Sequence, residues 1–161
     1  MTMNRYAPHV YVIPEDDANR QLADGFVLHH QVNHTRIQIV APAGGWPRVL
    51  ETFLDEYVPK LRVYPSAYVV MLIDFDDQIE QRRERFENEI PSDLRSRVFV
   101  VGPQQDPEAL KKSLKMSYEQ IGESLANDCD AETSENWEHA QLRHNETERR
   151  RMVEIIKPIL F

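Results

Sequence analysis

Apolar positions along the chain fall into short runs, separated by polar stretches that repeat at helical spacing. The longest unbroken run, Tyr68–Ile73, follows Pro65 and is rich in Val, Ile and Tyr. A short continuous run of this kind predicts a strand buried on both faces. Such strands belong to parallel sheets covered by helices. His9–Ile13 predicts an earlier strand, closed by Pro14, which removes a ladder donor. Thr35–Val40 alternates apolar and polar residues and predicts a second strand. Arg97–Val101 predicts a fourth, closed by Gly102-Pro103.

The intervening segments read as helices. Glu15–Gly25 opens with acids, which suit a helix N-terminus, turns Leu22 inward with Phe26, and meets Gly25 as a stop. His29, His30 and His34 follow in what reads as a polar loop. His30 and His34 have the spacing of paired ligands on a helix only. Ala41–Gly45 is a connection. Trp46-Pro47 then opens a helix, with Pro47 favourable at its first position. Val49, Leu50, Phe53, Leu54, Tyr57, Val58 and Leu61 recur along it at helical spacing. Pro59 is expected to end or bend that helix.

Gln78–Ile90 predicts a charged helix with a narrow stripe of Ile79, Phe86 and Ile90. Asp106 is placed to cap a helix whose buried side is Leu110, Leu114, Tyr118, Ile121 and Leu125. Asn127–Ser134 reads as a loop and Trp137–Phe161 as a charged helical tail. Within the tail, Asn145 and Glu148 have capping-box spacing, so a new helix is expected near Glu146. Ile155, Ile156, Ile159, Leu160 and Phe161 give the tail an apolar end that docks on the core.

The order β-α-β-α-β-α-β-α, followed by helical residues, predicts an α/β three-layer sandwich with a mainly parallel central sheet. Right-handed crossovers place helices on both faces. A single domain over residues 1–161 follows, with a core of about residues 9–127 and a helical C-terminal extension over 133–161. The length of 161 residues suits one sizeable core.

Composition narrows the function. With 41% hydrophobic and 29% charged residues, the chain has the make-up of a globular protein in water. Its one cysteine, Cys129, excludes an intrachain disulfide framework and a multi-cysteine zinc site, and reads as a packed or surface thiol. The N-terminus has no apolar signal core, and no run approaches the roughly 20 residues that span a membrane. A cytoplasmic protein with no membrane partner is the expectation. The net charge of −8 argues against broad attraction to nucleic acid. It is compatible with an enzyme that handles phosphates through metal ions, because a metal site is itself built from acids. The chain lacks Gly-x-x-x-x-Gly-Lys-Ser/Thr, Gly-x-Gly-x-x-Gly, Gly-x-Ser-x-Gly and His-Glu-x-x-His patterns.

The candidate chemistry lies in two acidic clusters. Glu15, Asp16 and Asp17 follow the first strand, and Asp74, Asp76 and Asp77 follow the third. In a parallel sheet both clusters lie at the carboxyl edge, where ligands bind. If the two strands are neighbours, the clusters converge. In an extended chain i and i+2 point to the same side, so Asp74 and Asp76 are expected together, with a hard divalent cation between them. Arg82, Arg83 and Arg85 lie just beyond and are candidate phosphate contacts, Arg82 and Arg83 first. Pairing with Glu80, Glu84 and Glu87 on a solvated helix face is the reading their spacing favours. Trp137-Glu138-His139 and Arg143-His144-Asn145 have the make-up of a pocket lining, which capping and packing explain equally well.

With Glu15 just after the first strand and Asp74-Phe75-Asp76 after the third, the chain resembles the Toprim fold of topoisomerase and primase catalytic domains and of overcoming-lysogenization-defect nucleases. The resemblance covers roughly Val10–Leu125. It implies that Asp74 and Asp76 hold Mg²⁺ (or Mn²⁺), that Glu15 is an acid/base or second ligand, and that Glu108 is a further acid. It also implies nucleic acid as the partner. Asp16 stands where the Toprim pattern commonly has Gly. A second resemblance is to a response-regulator receiver domain, in which Asp16, Asp17 and Asp74 would bind Mg²⁺ and accept a phosphoryl group. Gly102-Pro103 in place of Ser or Thr, the missing Lys after a fifth strand and the long gap from Asp17 to Asp74 depart from that pattern. The expectation is Mg²⁺-dependent phosphodiester chemistry of the Toprim nuclease kind. The alternatives are a receiver-like, degenerate signalling domain or a non-catalytic α/β interaction domain, its tail from Trp137 serving as a dimerising or partner-binding helix.

Overall fold

The computed structural model describes residues 3–161. Four strands, β1 (His9–Pro14), β2 (Ile37–Ile39), β3 (Ala67–Leu72) and β4 (Val98–Val101), form one parallel sheet in the order β2-β1-β3-β4. The helices are α1 (Asp17–Val27), α2 (Trp46–Thr52), α3 (Val58–Val63), α4 (Ile79–Glu89), α5 (Pro107–Leu114), α6 (Tyr118–Ala131), α7 (Glu146–Ile155) and α8 (Lys157–Leu160). All six residues of β1 are buried, as a strand covered on both faces requires.

Strand alternation sorts the core into two layers. Tyr11, Ile13, Val69, Met71 and Ile73 meet Phe53, Leu61 and Phe86 from the α2–α3 segment and α4. Val10, Val12, Val70, Phe99 and Val101 meet Ala23 of α1 together with Ile156 and Leu160 at the chain's end. The result is the three-layer α/β arrangement. α5 and α6 pack outside α1, through Leu22, Leu110, Ile121 and Leu125, with Trp137 and Leu142 closing that cluster. Among the described residues, no helix is long and apolar enough to cross a membrane.

Several local readings change in the fold. Gly25 does not stop α1, which runs on to Val27. The glycine serves a close helix crossing instead: a Cβ there would lie 2.1 Å from Glu119 O, and one at Gly122 would lie 2.0 Å from Leu22 O. Only two glycines let these backbones touch. Pro59 does not end its helix, which runs on to Val63. The turn before Pro59, Phe53–Tyr57, widens to π spacing, with Val58 N donating to Phe53 O, and this accommodates the missing proline donor.

The helix after Asp106 breaks at Lys115, which is left-handed, and restarts behind a capping box of Ser117 and Gln120. α6 continues through Asn127–Ala131, read from sequence as loop. There Asp128 is buried, accepting from Thr133 Oγ1 at 2.9 Å and Asn136 N at 2.7 Å, and Cys129 is buried too. β2 is shorter than the alternation suggested. The tail is irregular from Thr133 to Leu142 and becomes helical at Glu146, where the spacing placed it, but Asn145 does not cap α7. Its amide donates to Gly102 O and Leu142 O, both at 2.9 Å.

Candidate metal centre

The site begins with strand register. β1 and β3 are neighbours, Pro14 pairs with Leu72, and Glu15 N donates to Leu72 O at 2.9 Å. The chain leaves β1 for β2 on one side of the sheet, and β3 lies on the other. The β1/β3 carboxyl edge is therefore the topological switch point, where helices diverge and leave a crevice. The two acidic clusters meet there.

Glu15 is the first residue past β1. Its side chain is buried, and its carbonyl accepts from Gly44 N at 2.9 Å and Gly45 N at 3.2 Å. Asp16 caps α1: its Oδ1 accepts from Asn19 N at 2.9 Å. Asp74 lies two residues past β3 and is also buried. Glu15, Asp16 and Asp74 each bring one carboxylate oxygen within 4.8 Å of the others. Asn19, fully buried, ties the two aspartates together, its Nδ2 lying 2.9 Å from Asp74 Oδ1 and 3.2 Å from Asp16 Oδ1.

The electrostatics follow from crowding. Burial pushes the Glu15 carboxyl up to about 8, helped by the charge of Asp74 beside it. Burial also lifts Asp74 to about 6, against the lowering effect of hydrogen bonds from Asn19 and from Glu15. The two titrate as a pair, and the pair holds protons above the ordinary carboxylate range. The cluster has too many acceptors for its donors. Glu15 Oε1 and Asn19 Oδ1 are both buried without a hydrogen-bond partner. Hard oxygen donors in surplus, with like charges within a few ångströms, are a constellation suited to Mg²⁺, Mn²⁺ or Ca²⁺.

The remaining candidates fall outside this trio. Asp76 and Asp77 take left-handed backbone angles, φ +49° and +59°, so the extended geometry that would align Asp76 with Asp74 is gone. Asp76 Oδ2 instead meets Arg82 Nη1 at 3.1 Å with its side chain half-exposed, and Asp77 meets Gln104. Asp17 lies on the exposed first turn of α1, held by Arg20 and Gln21, each at 2.6 Å. Glu108 is exposed on the first turn of α5.

Arg82 and Arg83 do not form the solvated face that their spacing favoured. Arg82 is buried, donates to Asp74 O at 2.8 Å and stacks 4.4 Å over Trp46. Arg83 donates to Val100 O at 2.9 Å and Asn145 Oδ1 at 2.8 Å, and packs over Phe75. Arg85, paired with Glu89, keeps the solvated reading.

Of the histidines, His29 is buried in the turn after α1 and stacks on His30, while His34 is exposed in the loop. His139 Nδ1 accepts from Gln141 N at 3.0 Å, so its Nε2 carries the proton and donates to Ser113 Oγ at 2.9 Å. That tautomer is the wrong one to activate the serine. His144 packs against Phe75 and Arg83, and burial pushes its pKa down to about 4.

Sequence reasoning missed Asn19. Its spacing from Asp16 signals a cap, and nothing local signals its bond to Asp74, 55 residues away.

Fold and site together define an α/β protein with a buried acidic centre at the switch point of a four-stranded parallel sheet. Comparison with protein-family profiles, with curated proteins and with solved structures finds no match to this chain.

Proposed function

We propose that Glu15, Asp16 and Asp74 hold a Mg²⁺ or Mn²⁺ ion and that the chain hydrolyses phosphodiesters in the manner of a Toprim-like nuclease. The observation that carries this reading is the β1/β3 register, which brings the residues after two separate strands to one buried point. A bound divalent ion there would neutralise charge on a phosphoryl oxygen and position a nucleophile.

The chain's own groups have distinct tasks in this reading. Asp16 is fixed by its capping bond, and Asp74 by Arg82 at its carbonyl. Glu15, whose carboxyl burial lifts well above the ordinary range while no ion is bound, gives up its proton as it becomes a ligand, so the site loads more readily as pH rises. Arg82 and Trp46 stiffen one wall.

The strand order favours a second reading. The order β2-β1-β3-β4 matches the first four strands of the flavodoxin-like doubly wound order, which receiver domains share. Gly102-Pro103 after β4 offers no hydroxyl to a phosphoryl group, so this reading ranks below the first.

Calorimetric titration with Mn²⁺ and Mg²⁺ tests the site, using the wild type and a D16N/D74N variant. Asparagine caps helices as well as aspartate does, so that variant keeps the fold while losing charge. Binding to the wild type alone, together with Mn²⁺-dependent cleavage of single- or double-stranded DNA or RNA, supports the nuclease reading. Binding without cleavage, with beryllofluoride uptake, supports the receiver-like one. No binding at millimolar metal removes both.

A further inference from the structure

We propose that Asn19 belongs to the cation site as an oxygen ligand, its amide turning over when the ion binds. This rests on the metal reading above and extends it to a residue that is neither acidic nor part of either cluster in sequence.

Asn19 Nδ2 faces Asp74 Oδ1 at 2.9 Å and Asp16 Oδ1 at 3.2 Å. The reverse orientation would set Oδ1 against two carboxylate oxygens, so without an ion the NH₂ end must face them. The amide's two N–H bonds thus supply partial positive charge between the two carboxylates. Arg82, which lies beside Asp74, is committed to Asp74 O, Asp76 and the face of Trp46.

The other end of the amide carries the second observation. Asn19 is fully buried, and its Oδ1 has no hydrogen-bond partner. A buried carbonyl oxygen without a donor is costly, and native proteins seldom keep one without a reason. A divalent ion among Glu15, Asp16 and Asp74 changes both ends at once. It takes over the neutralising task of the NH₂ group and repels that group's positive edge, while attracting the free oxygen. A rotation about the terminal side-chain torsion, which is soft, exchanges the two ends without moving α1. The ligand set then becomes three carboxylates and one neutral amide, all hard oxygens, which suits Mg²⁺ or Mn²⁺ better than a soft or nitrogen-preferring metal.

Two substitutions separate a ligand from a mere donor. N19L removes both ends of the amide; N19D keeps the oxygen and removes the N–H donors. A ligand role predicts that N19L weakens Mn²⁺ binding about tenfold or more, the scale on which support of a metal site is felt, while N19D binds at least as tightly as the wild type. Isothermal titration with Mn²⁺, with circular dichroism to confirm folding, reads this out. Side-chain amide resonances give a measurement on the unaltered protein: the Asn19 NH₂ pair, assigned by its loss in N19D, should shift strongly on Mg²⁺ addition as it leaves the carboxylates. Equal weakening in N19D and N19L, or an NH₂ pair that stays put while the wild type binds metal, overturns the proposal and leaves the carboxylate site standing. Failure of the wild type to bind metal overturns both.

Discussion

Glu15 and Asp74 extend neighbouring parallel strands, and Glu15 N donates to Leu72 O at 2.9 Å, so two carboxyls distant in sequence share one buried site. Burial and mutual repulsion make this pair a source of instability whenever both are ionised.

The sign of the pH effect follows from the shifts. Glu15 titrates near 8 in the fold against an ordinary 4.5, and Asp74 near 6 against 3.8. Over those intervals the folded state holds more protons than the unfolded one, so metal-free stability falls as pH rises from about 4 to 8. Melting temperatures measured across this range without metal should decline. E15Q should flatten the decline, and saturating Mg²⁺ should reverse it. A wild-type profile that rises throughout would contradict the crowded-carboxylate account.

His144 acts in the opposite direction. Its folded pKa near 4 lies below the ordinary 6.5, so the unfolded chain takes up the proton first. Its contribution is lost as pH falls from about 6.5 towards 4. H144Q should be less sensitive to acid than the wild type in urea denaturation followed over that interval.

Asp74 and Asp76 look equivalent in sequence and are not equivalent in the fold. D74N should weaken Mn²⁺ binding by at least an order of magnitude, and it should raise the melting temperature of the metal-free protein by relieving repulsion. D76N should leave affinity within a few-fold of wild type, because Asp76 is turned to Arg82. Calorimetry on the two single variants decides between this trio and an Asp74–Asp76 pair.

Gly122 offers a prediction against the usual trend. At an unobstructed helix position, Gly→Ala stabilises by about 0.5–1 kcal/mol. Here the added Cβ would lie 2.0 Å from Leu22 O, so G122A must push α6 off α1. A loss of about 2 kcal/mol, within the usual scale of overpacking, is expected in chemical denaturation.

Glu148 closes the sheet at β4. Its Oε2 accepts from Val100 N at 2.9 Å, and its Oε1 meets Arg151 at 2.6 Å and Arg95 at 3.2 Å. This buried carboxylate satisfies an edge-strand donor that would otherwise invite another chain. E148A should cost about 3 kcal/mol, the lower end for a broken buried pair, since both arginines are partly exposed. Light scattering should show increased association alongside the loss measured in urea.

The strands, the parallel sheet and the layer order were legible in the chain because each rests on local properties. Continuous Val/Ile-rich runs mark strands buried on both faces, and apolar residues at helical spacing mark the layers that cover them. The acidic clusters were legible for the same reason: polar residues at the carboxyl ends of strands follow directly from where the strands stop. What local pattern does not carry is which strands are neighbours and how the chain turns once a strand has ended. The register of Pro14 with Leu72 placed Glu15 and Asp16 beside Asp74. The left-handed residues at Asp76 and Asp77 removed Asp76 from that group. Asn19 joined it through a bond 55 residues long in sequence, and Arg82 and Arg83 were drawn inward to backbone carbonyls on other elements. Gly25 likewise answers to Glu119 on α6 rather than to the end of its own helix. Local sequence determines where the strands run and which apolar faces cover them. Long-range pairing, decided by the packing of the whole core, determines which polar groups share a low-dielectric point, and the chemistry of the site depends on that.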